Sequence, residues 1–393
     1  MQEVYICSAI RTPLGSFGGM FAKIKATDLG KYAIQGALEK SGVEAAHVEE
    51  VFMGNVCSAN LGQAPARQAA IKAGISNTVP CTTINKVCSS GLKSVMLGAQ
   101  TIMLGLNDLV VAGGMENMSD VPYYLPQNRW GSKYGDGKII DGLAKDGLTD
   151  AYQPVAMGVF ADSTAKEYNV SREAQDEYAI RSYQRAATAT ENKILAKEIV
   201  AVEVPQRKGD PIAITEDEEY KRVKFEKIPI LRPAFTKDGT VTAANASTIN
   251  DGAAAFVLAS EAAIKKYGLT PIAKIVSFAD AAHEPEWFTT APTKAAKLAA
   301  ARANTSLDKI DYFEVNEAFS VVPMVFGKLL EVSEDQMNIH GGAVSLGHPL
   351  GASGARILTT LCNVLDTKEA KMGMAAICNG GGGASALVVE NLR

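Results

Sequence analysis

The chain is poor in the residues that usually announce chemistry. Of its 393 residues only four are histidine (His47, His283, His340, His348) and two are tryptophan, and no histidine falls at a zinc spacing from another ligand, so no catalytic metal is expected. Six cysteines (Cys7, Cys57, Cys81, Cys88, Cys362, Cys378) are scattered without a CxxC pair or a dense cluster, which excludes a disulfide framework and fits a reducing compartment. No apolar run approaches the ~18 residues of a membrane span. Met1–Ile10 lacks a basic leader and meets Glu3 at once, so it reads as a first strand. There is no GxxxxGK[ST] loop, no GxGxxG after the first strand, no GxSxG elbow and no HExxH, which removes the commonest nucleotide and hydrolase readings. The net charge of −4 gives no reason to expect nucleic acid or an anionic membrane as partner.

What is present is ordinary globular material, 47% hydrophobic and 21% charged, enough for a large core and a buried cleft. Short β-rich runs (Glu3–Ile10, Val51–Asn55, Asp108–Gly113) alternate with helical stretches such as Leu92–Met103, the pattern of an open α/β sheet. From about Ser119 to Asn250 the character changes. This segment carries most of the tyrosines, a charged helix over Ser171–Lys193 opened by Ser171 as cap, and the mixed-charge run Glu216–Lys227. It reads as an insertion over the sheet. Alternation then returns, with strand-like Tyr312–Val315 and Met374–Cys378 and helix-like Ala318–Leu330 and Ser353–Leu365. The second half echoes the first. In each, a reactive residue precedes a glycine and a helix (Cys88-Ser-Ser-Gly91; His348-Pro-Leu-Gly351), and an apolar strand runs into glycines.

Cys88 is the nucleophile candidate, because free N–H groups at the start of the following helix are expected to favour its thiolate. Packing is the competing explanation for any one cysteine. His348, framed by glycine and proline, is the candidate base. Cys378 ends an apolar strand beside Gly380–Gly383, so its thiol is expected to reach a cleft while the Gly380 N–H donates to an oxyanion. Asn316 ends another strand, as an orienter of water or as a helix cap. The run Lys221–Lys227 is either a phosphate contact or a solvated face.

Taken in order and spacing, Cys88-Ser-Ser-Gly, Asn316-Glu-Ala-Phe, Gly347-His-Pro-Leu-Gly and Cys378-Asn-Gly-Gly-Gly-Gly resemble the thiolases over essentially the whole chain. Ala244-Asn-Ala-Ser247 and Gly341–His348 are similar to the branch that forms acetoacetyl-CoA. The resemblance implies two similar βαβαβαββ halves in a five-layer αβαβα core with an inserted loop domain. The expected parts are 1–118 with 250–270, the loop domain 119–249, and 271–393. It further implies a homotetramer or dimer. The activity implied is the reversible joining of two acetyl-CoA into acetoacetyl-CoA and CoA, with a degradative thiolase of broader chain length and a non-catalytic acyl-CoA carrier as alternatives.

The roles implied by the resemblance are specific. Cys88 carries the acetyl group, His348 activates it, and Cys378 takes a proton from the second acetyl-CoA. Asn316 holds a water that completes one oxyanion hole with His348, while the N–H groups of Cys88 and Gly380 form the other. Coenzyme A is expected against Ser247 at the pantetheine arm and against Arg222, Val223, Lys224 and Lys227 at the nucleotide. Tyr183, Ala243, Ala244, Ala246 and Val344 match positions that surround potassium in the mitochondrial-type branch. No covalently bound cofactor is implied, and the compartment is cytoplasmic or, for a processed form, the mitochondrial matrix. Met157 is kept as the residue limiting acyl length. Ala156 departs from the pattern, since related short-chain thiolases usually place a histidine there, against the coenzyme arm.

Overall fold

The computed structural model describes residues 1–393. Its first half runs β1 (Val4–Arg11), α1 (Ala26–Ser41), β2 (Glu50–Gly54), α2 (Pro65–Lys72), β3 (Cys81–Ile84), α3 (Ser90–Met103) and β4 (Leu109–Asn117). After a long excursion carrying α4 (Met157–Glu167) and α5 (Arg172–Glu191), the chain returns as β5 (Asn250–Ala259), followed by α6 (Glu261–Tyr267). The second half is β6 (Ala273–Ala282), α7 (Ala291–Arg302), β7 (Tyr312–Val315), α8 (Val321–Leu330), α9 (Ala343–Leu346), α10 (Leu350–Thr367), β8 (Met372–Asn379) and β9 (Gly383–Asn391). The doubled α/β architecture read from the sequence is present, with one reduction. Where the second half should have its third strand there is only an isolated bridge, Phe313 to Met337.

The strands form one hydrogen-bonded path, β7-β8-β9-β6-β1-β5-β4-β2-β3, joined between halves by the antiparallel β1–β6 pair. Side-chain alternation then builds the layers. Along β5, Ala253, Ala255, Val257 and Ala259 enter the core beneath α1 and α2, while Ala254, Phe256 and Leu258 enter the core containing α3 and α10. On the far side Met374 and Ala376 of β8 meet the α7–α8 core. Strands covered on both faces read as continuous apolar runs, which is why β5 is buried along its whole length. The five layers are α1/α2, a sheet half, α3/α10, the other sheet half, and α7/α8.

The central layer positions the chemistry. α3 and α10 approach almost backbone to backbone: a Cβ added to Gly354 would lie 2.5 Å from the Leu92 nitrogen, and one on Gly91 would lie 2.8 Å from the Ala355 nitrogen. Any larger residue would force the two helices apart. Cys88 and His348 sit just before these two helices, so the close approach brings the two loops together.

The excursion is fastened by buried charge. Arg11, fully buried, donates to Glu198 at 2.6 Å and to both oxygens of Asp217 at 2.7 and 2.9 Å. Removing either carboxylate would leave a buried guanidinium partly unpaired, which is worth several kcal/mol. Within the excursion Ser171 caps α5, accepting from the Ala174 N–H at 3.1 Å as its sequence position suggests.

Candidate active site

Cys88 stands on a strained elbow. Val87, a β-branched residue, has φ +48°, where such side chains are rarely found. Polar side chains hold the turn: Asn85 accepts from the Val87 N–H at 3.0 Å, and Ser90 donates to the Val87 carbonyl at 2.6 Å while accepting from the Lys86 N–H at 2.8 Å. Ser89 points inward and donates to the Asn379 side chain at 2.9 Å, tying the elbow to the β8–β9 hairpin.

That hairpin explains the glycine run. Gly381 and Gly382 have φ of +82° and +85°, and a Cβ on Gly382 would lie 2.3 Å from the His283 carbonyl oxygen. These two positions demand glycine. Gly380 does not, since a Cβ there would meet only Val87 at 3.5 Å and Met157 at 3.8 Å. Its contribution is the N–H, which points to the Cys88 sulfur.

His348 is buried and fixed from three sides. Its backbone N–H donates to Asn250 Oδ1 at 3.0 Å, its Nδ1 lies 2.6 Å from Ser353 Oγ, and its Nε2 lies 3.5 Å from Asn316 Nδ2. The Ser353 hydroxyl spends its proton on the Pro349 carbonyl at 2.8 Å. Nδ1 is therefore the protonated nitrogen, and Nε2 carries the free lone pair. Asn316 Oδ1 is buried without a partner.

Electrostatics corrects one expectation. Burial pushes the partly exposed Cys88 thiol up to about 12, overriding the N–H groups of Gly380 and of Cys88 itself, which pull downward. Burial, with Arg356 adding repulsion, pulls His348 down to about 3. No Cys88–His348 hydrogen bond is formed. The resting pair is a neutral thiol and a neutral imidazole rather than thiolate and imidazolium, because neither charge is solvated there. A second expectation also changes: Cys378 is completely buried and lines no cleft. Burial, reinforced by Cys88, holds its thiol well above the ordinary range.

A cavity of about 850 Å³ opens from this centre. It is lined by His348 and Leu350 and by Ala156, Met157, Ser247, Phe235, Phe319 and Arg222. Cys88 packs against the small apolar cluster that includes Leu350 and Met118, both of which line this cavity. A neighbouring cavity of about 250 Å³ is lined by Tyr183, Arg222, Val223, Lys224, Lys227, Ala243 and Ala244. The run Lys221–Lys227 thus turns one side to a cavity, while Lys221 itself pairs with Glu216 at 2.6 Å. Val344 packs on Tyr183, and Ala246 lines the large cavity. Every candidate position from the sequence falls in this one region.

Residues the sequence did not single out complete the site. Glu317 is buried and accepts from Tyr178 and Ser182 at 2.8 Å each and from Asn338 and the Val344 N–H at 3.0 Å each. Four donors satisfy the charge and lock α9, which leads into the His348 loop. Glu116 accepts from the Gly351 N–H at 2.8 Å and from Asn55, Val56 and Cys57. It sits at the positive end of α10, yet burial raises it to about 7. Only Glu317, inside the Asn-Glu-Ala-Phe motif, carried a local signal.

The profile of the thiolase N-terminal domain matches residues 4–262, and that of the thiolase C-terminal domain matches residues 269–391. The chain belongs to the thiolase family. Among its thiolase relatives, the cytosolic acetyl-CoA acetyltransferase of Gibberella zeae is 52% identical over 394 residues, covering 100% of this chain and 99% of the relative. The mitochondrial acetyl-CoA acetyltransferase of Homo sapiens is 50% identical over 393 residues, covering 100% and 91%. The crystal structure of the Acat5 thiolase from Ascaris suum in complex with coenzyme A superposes with a TM-score of 0.95 at 46% identity, covering 100% of both chains. No helix of this thiolase is long and apolar enough to cross a membrane.

Proposed function

We propose that this thiolase is an acetyl-CoA C-acetyltransferase, reversibly converting two acetyl-CoA into acetoacetyl-CoA and CoA through an acetyl-Cys88 intermediate. The observation that carries this reading is the clustering of Cys88 with the Gly380 N–H and the buried Cys378, together with a His348 that lines the large cavity and has Nδ1 fixed by Ser353. Full-length relatives of both compartments that bear the acetyl-CoA acetyltransferase name support it.

The neutral resting state dictates the proton path. As Cys88 sulfur attacks the thioester carbonyl, its proton passes to His348 Nε2, and the N–H groups of Cys88 and Gly380 receive the oxyanion. The leaving CoA thiolate takes the Cys378 proton and departs as the thiol. Cys378, now a thiolate, removes a proton from the methyl group of the second acetyl-CoA. The resulting carbanion attacks acetyl-Cys88. The Cys88–acyl bond breaks, and His348 returns the proton to sulfur. The second acetyl-CoA's carbonyl oxygen faces Asn316 and the protonated His348, where Asn316 Oδ1 would hold a water. Two thiols with raised pKa are what this sequence of transfers requires at rest.

Ser247 would contact the pantetheine arm, and Arg222, Val223, Lys224 and Lys227 the nucleotide. Met157, close to Gly380, would stand where a longer acyl chain needs to extend, which favours short substrates. Potassium would be held by Tyr183 with the carbonyls of Ala243, Ala244, Ala246 and Val344. This oxygen-only donor set suits a hard cation, and no backbone N–H donates to the carbonyls of Ala243 and Ala244. Bound there, the ion would stiffen the 243–247 turn that carries Ser247. A homotetramer or dimer is favoured by the exposed Trp130, Tyr134 and Ile139 and by the open edge of β3. The relatives' names, cytosolic and mitochondrial, support the cytosol or, for a processed form, the mitochondrion as the compartment.

The decisive experiment is mass spectrometry after brief incubation with acetyl-CoA. One acetyl group is expected on Cys88 and none on Cys88→Ser; an adduct on any other residue overturns the mechanism. Equal thiolysis rates in potassium and sodium buffers would remove the cation from the scheme.

A further inference from the structure

A third cavity, of about 410 Å³, shares no lining residue with the two described above. Its walls come from three separate elements: Arg181, Arg185 and Thr188 of α5, His340 of the turn before α9, and Lys368 just beyond α10. Asn192, at the end of α5, adds an amide. Three permanent cations and an imidazole thus face one concavity, and none of its lining residues is a carboxylate. Arg181 pairs with Glu334 at 2.5 Å and Arg185 with Asp335 at 3.7 Å, while Lys368 has no carboxylate partner.

The unfilled hydrogen-bonding capacity points the same way. Arg181 uses Nη2 on Glu334 at 2.5 Å, but its Nε is buried without a partner. His340 is only 5% exposed and its Nε2 has no partner either. Arg185 is partly engaged, with Nη1 donating to the Met337 carbonyl at 2.8 Å and Nη2 to the Glu334 carbonyl at 3.1 Å. Its remaining donor capacity and Lys368, which is exposed, are available to a ligand. The Arg181 Nε, a buried donor left without an acceptor, costs about 1–3 kcal/mol, while burial holds the His340 ring in its neutral form. A group with oxygens in several directions answers the arginine donors of α5 and the Lys368 ammonium beyond α10, and the O–H of a free phosphate dianion can donate to the unpartnered His340 Nε2.

We propose that the cavity bounded by Arg181, Arg185, His340 and Lys368 is a binding site for a phosphate dianion, free or as a monoester, distinct from the coenzyme A cleft. Arginine's planar fork matches phosphate oxygens, and the volume exceeds that of a bare phosphate, leaving room for an esterified group. The occupant would touch the segment that reaches the catalytic centre. Arg185 holds the carbonyl of Met337, and the adjacent Asn338 donates to Glu317, the carboxylate that locks α9.

With four histidines in the chain, ring carbon–proton spectra of the histidine-labelled protein test the site directly, His340 being assigned through His340→Gln. Inorganic phosphate is titrated in one arm and adenosine monophosphate in another, with sodium chloride at matched ionic strength as reference. The His340 signal is expected to shift saturably with phosphate and not with chloride. In Lys368→Ala, a surface change that should not impair folding, the midpoint should rise about tenfold, the loss of one charge-assisted contact. In Lys224→Ala, at the coenzyme cleft, it should stay unchanged. A tighter midpoint for the nucleotide identifies a monoester ligand, and an equal or weaker one identifies free phosphate. A His340 signal that stays still up to about 50 mM phosphate, that moves equally with chloride, or whose midpoint ignores Lys368→Ala overturns the proposal.

Discussion

The last two strands of each half are joined in opposite ways. In the first half the link between β4 and β5 is residues 118–249, which supply the cavity walls, α5 and the basic run. In the second half the link between β8 and β9 is the hairpin tip Gly380–Gly382. One topological position has become a substrate-sized cover in one half and a tight turn presenting a single N–H in the other. The difference shows how a doubled fold makes an asymmetric site. Most of the cavity lining comes from the half that expanded its link, and the Gly380 N–H and the second thiol come from the half that kept it short.

The sharpest way to break this division is Cys378→Ser. Acetylation of Cys88, where Cys378 only protonates the departing CoA, should be slowed far less than condensation, which falls about a thousandfold, the weight of a lost general base; equal loss of both half-reactions would deny the second half its separate step. Gly380→Pro removes the hairpin's N–H and should lower the acetylation rate about a hundredfold. Gly380→Ala, which keeps the N–H and has room for its Cβ, should change it little, and thermal melts of both variants exclude unfolding. Smaller still is Ser353→Ala: losing the partner of His348 Nδ1 should cost about tenfold in kcat with KM nearly unchanged. On the side of the expanded link, Ala156→His restores a side chain related enzymes usually have. It should lower the KM for acetyl-CoA a few-fold without moving kcat, about 1 kcal/mol of binding.

The least disruptive test concerns protonation. The Cys88 pKa is raised, so its proton stays on below about 12; the His348 pKa is lowered, so its ring stays neutral above about 3. Alkylation of Cys88 by iodoacetamide should therefore rise about tenfold per pH unit between about pH 6 and 9. A flat profile over that range would mean a preformed thiolate–imidazolium pair.

Much of this was legible in the sequence because it is local. Ser171 before a charged helix, glycines after an apolar strand, and a cysteine or histidine three residues ahead of a glycine are short-range patterns; Ser171 caps its helix, and the others come together at the site. Burial was not legible. The helix start after Cys88 suggested a lowered pKa, and desolvation by residues distant in sequence reversed the sign. Cys378 was expected at a cleft, but the alternation of β8 turns it inward. The missing third strand of the second half could not be read either, because a single bridge leaves no periodicity.

The sequence by itself determined the doubled α/β pattern, the identities of the reactive residues and the glycines that let backbones approach. Tertiary structure decided which charges those residues carry, which nitrogen of His348 is free, and that Glu116, Glu317 and Ser353 belong to the site. The reason is range: dihedral preference and periodicity act over a few residues. Desolvation and hydrogen-bond satisfaction depend on groups that meet only when α3 and α10 close together.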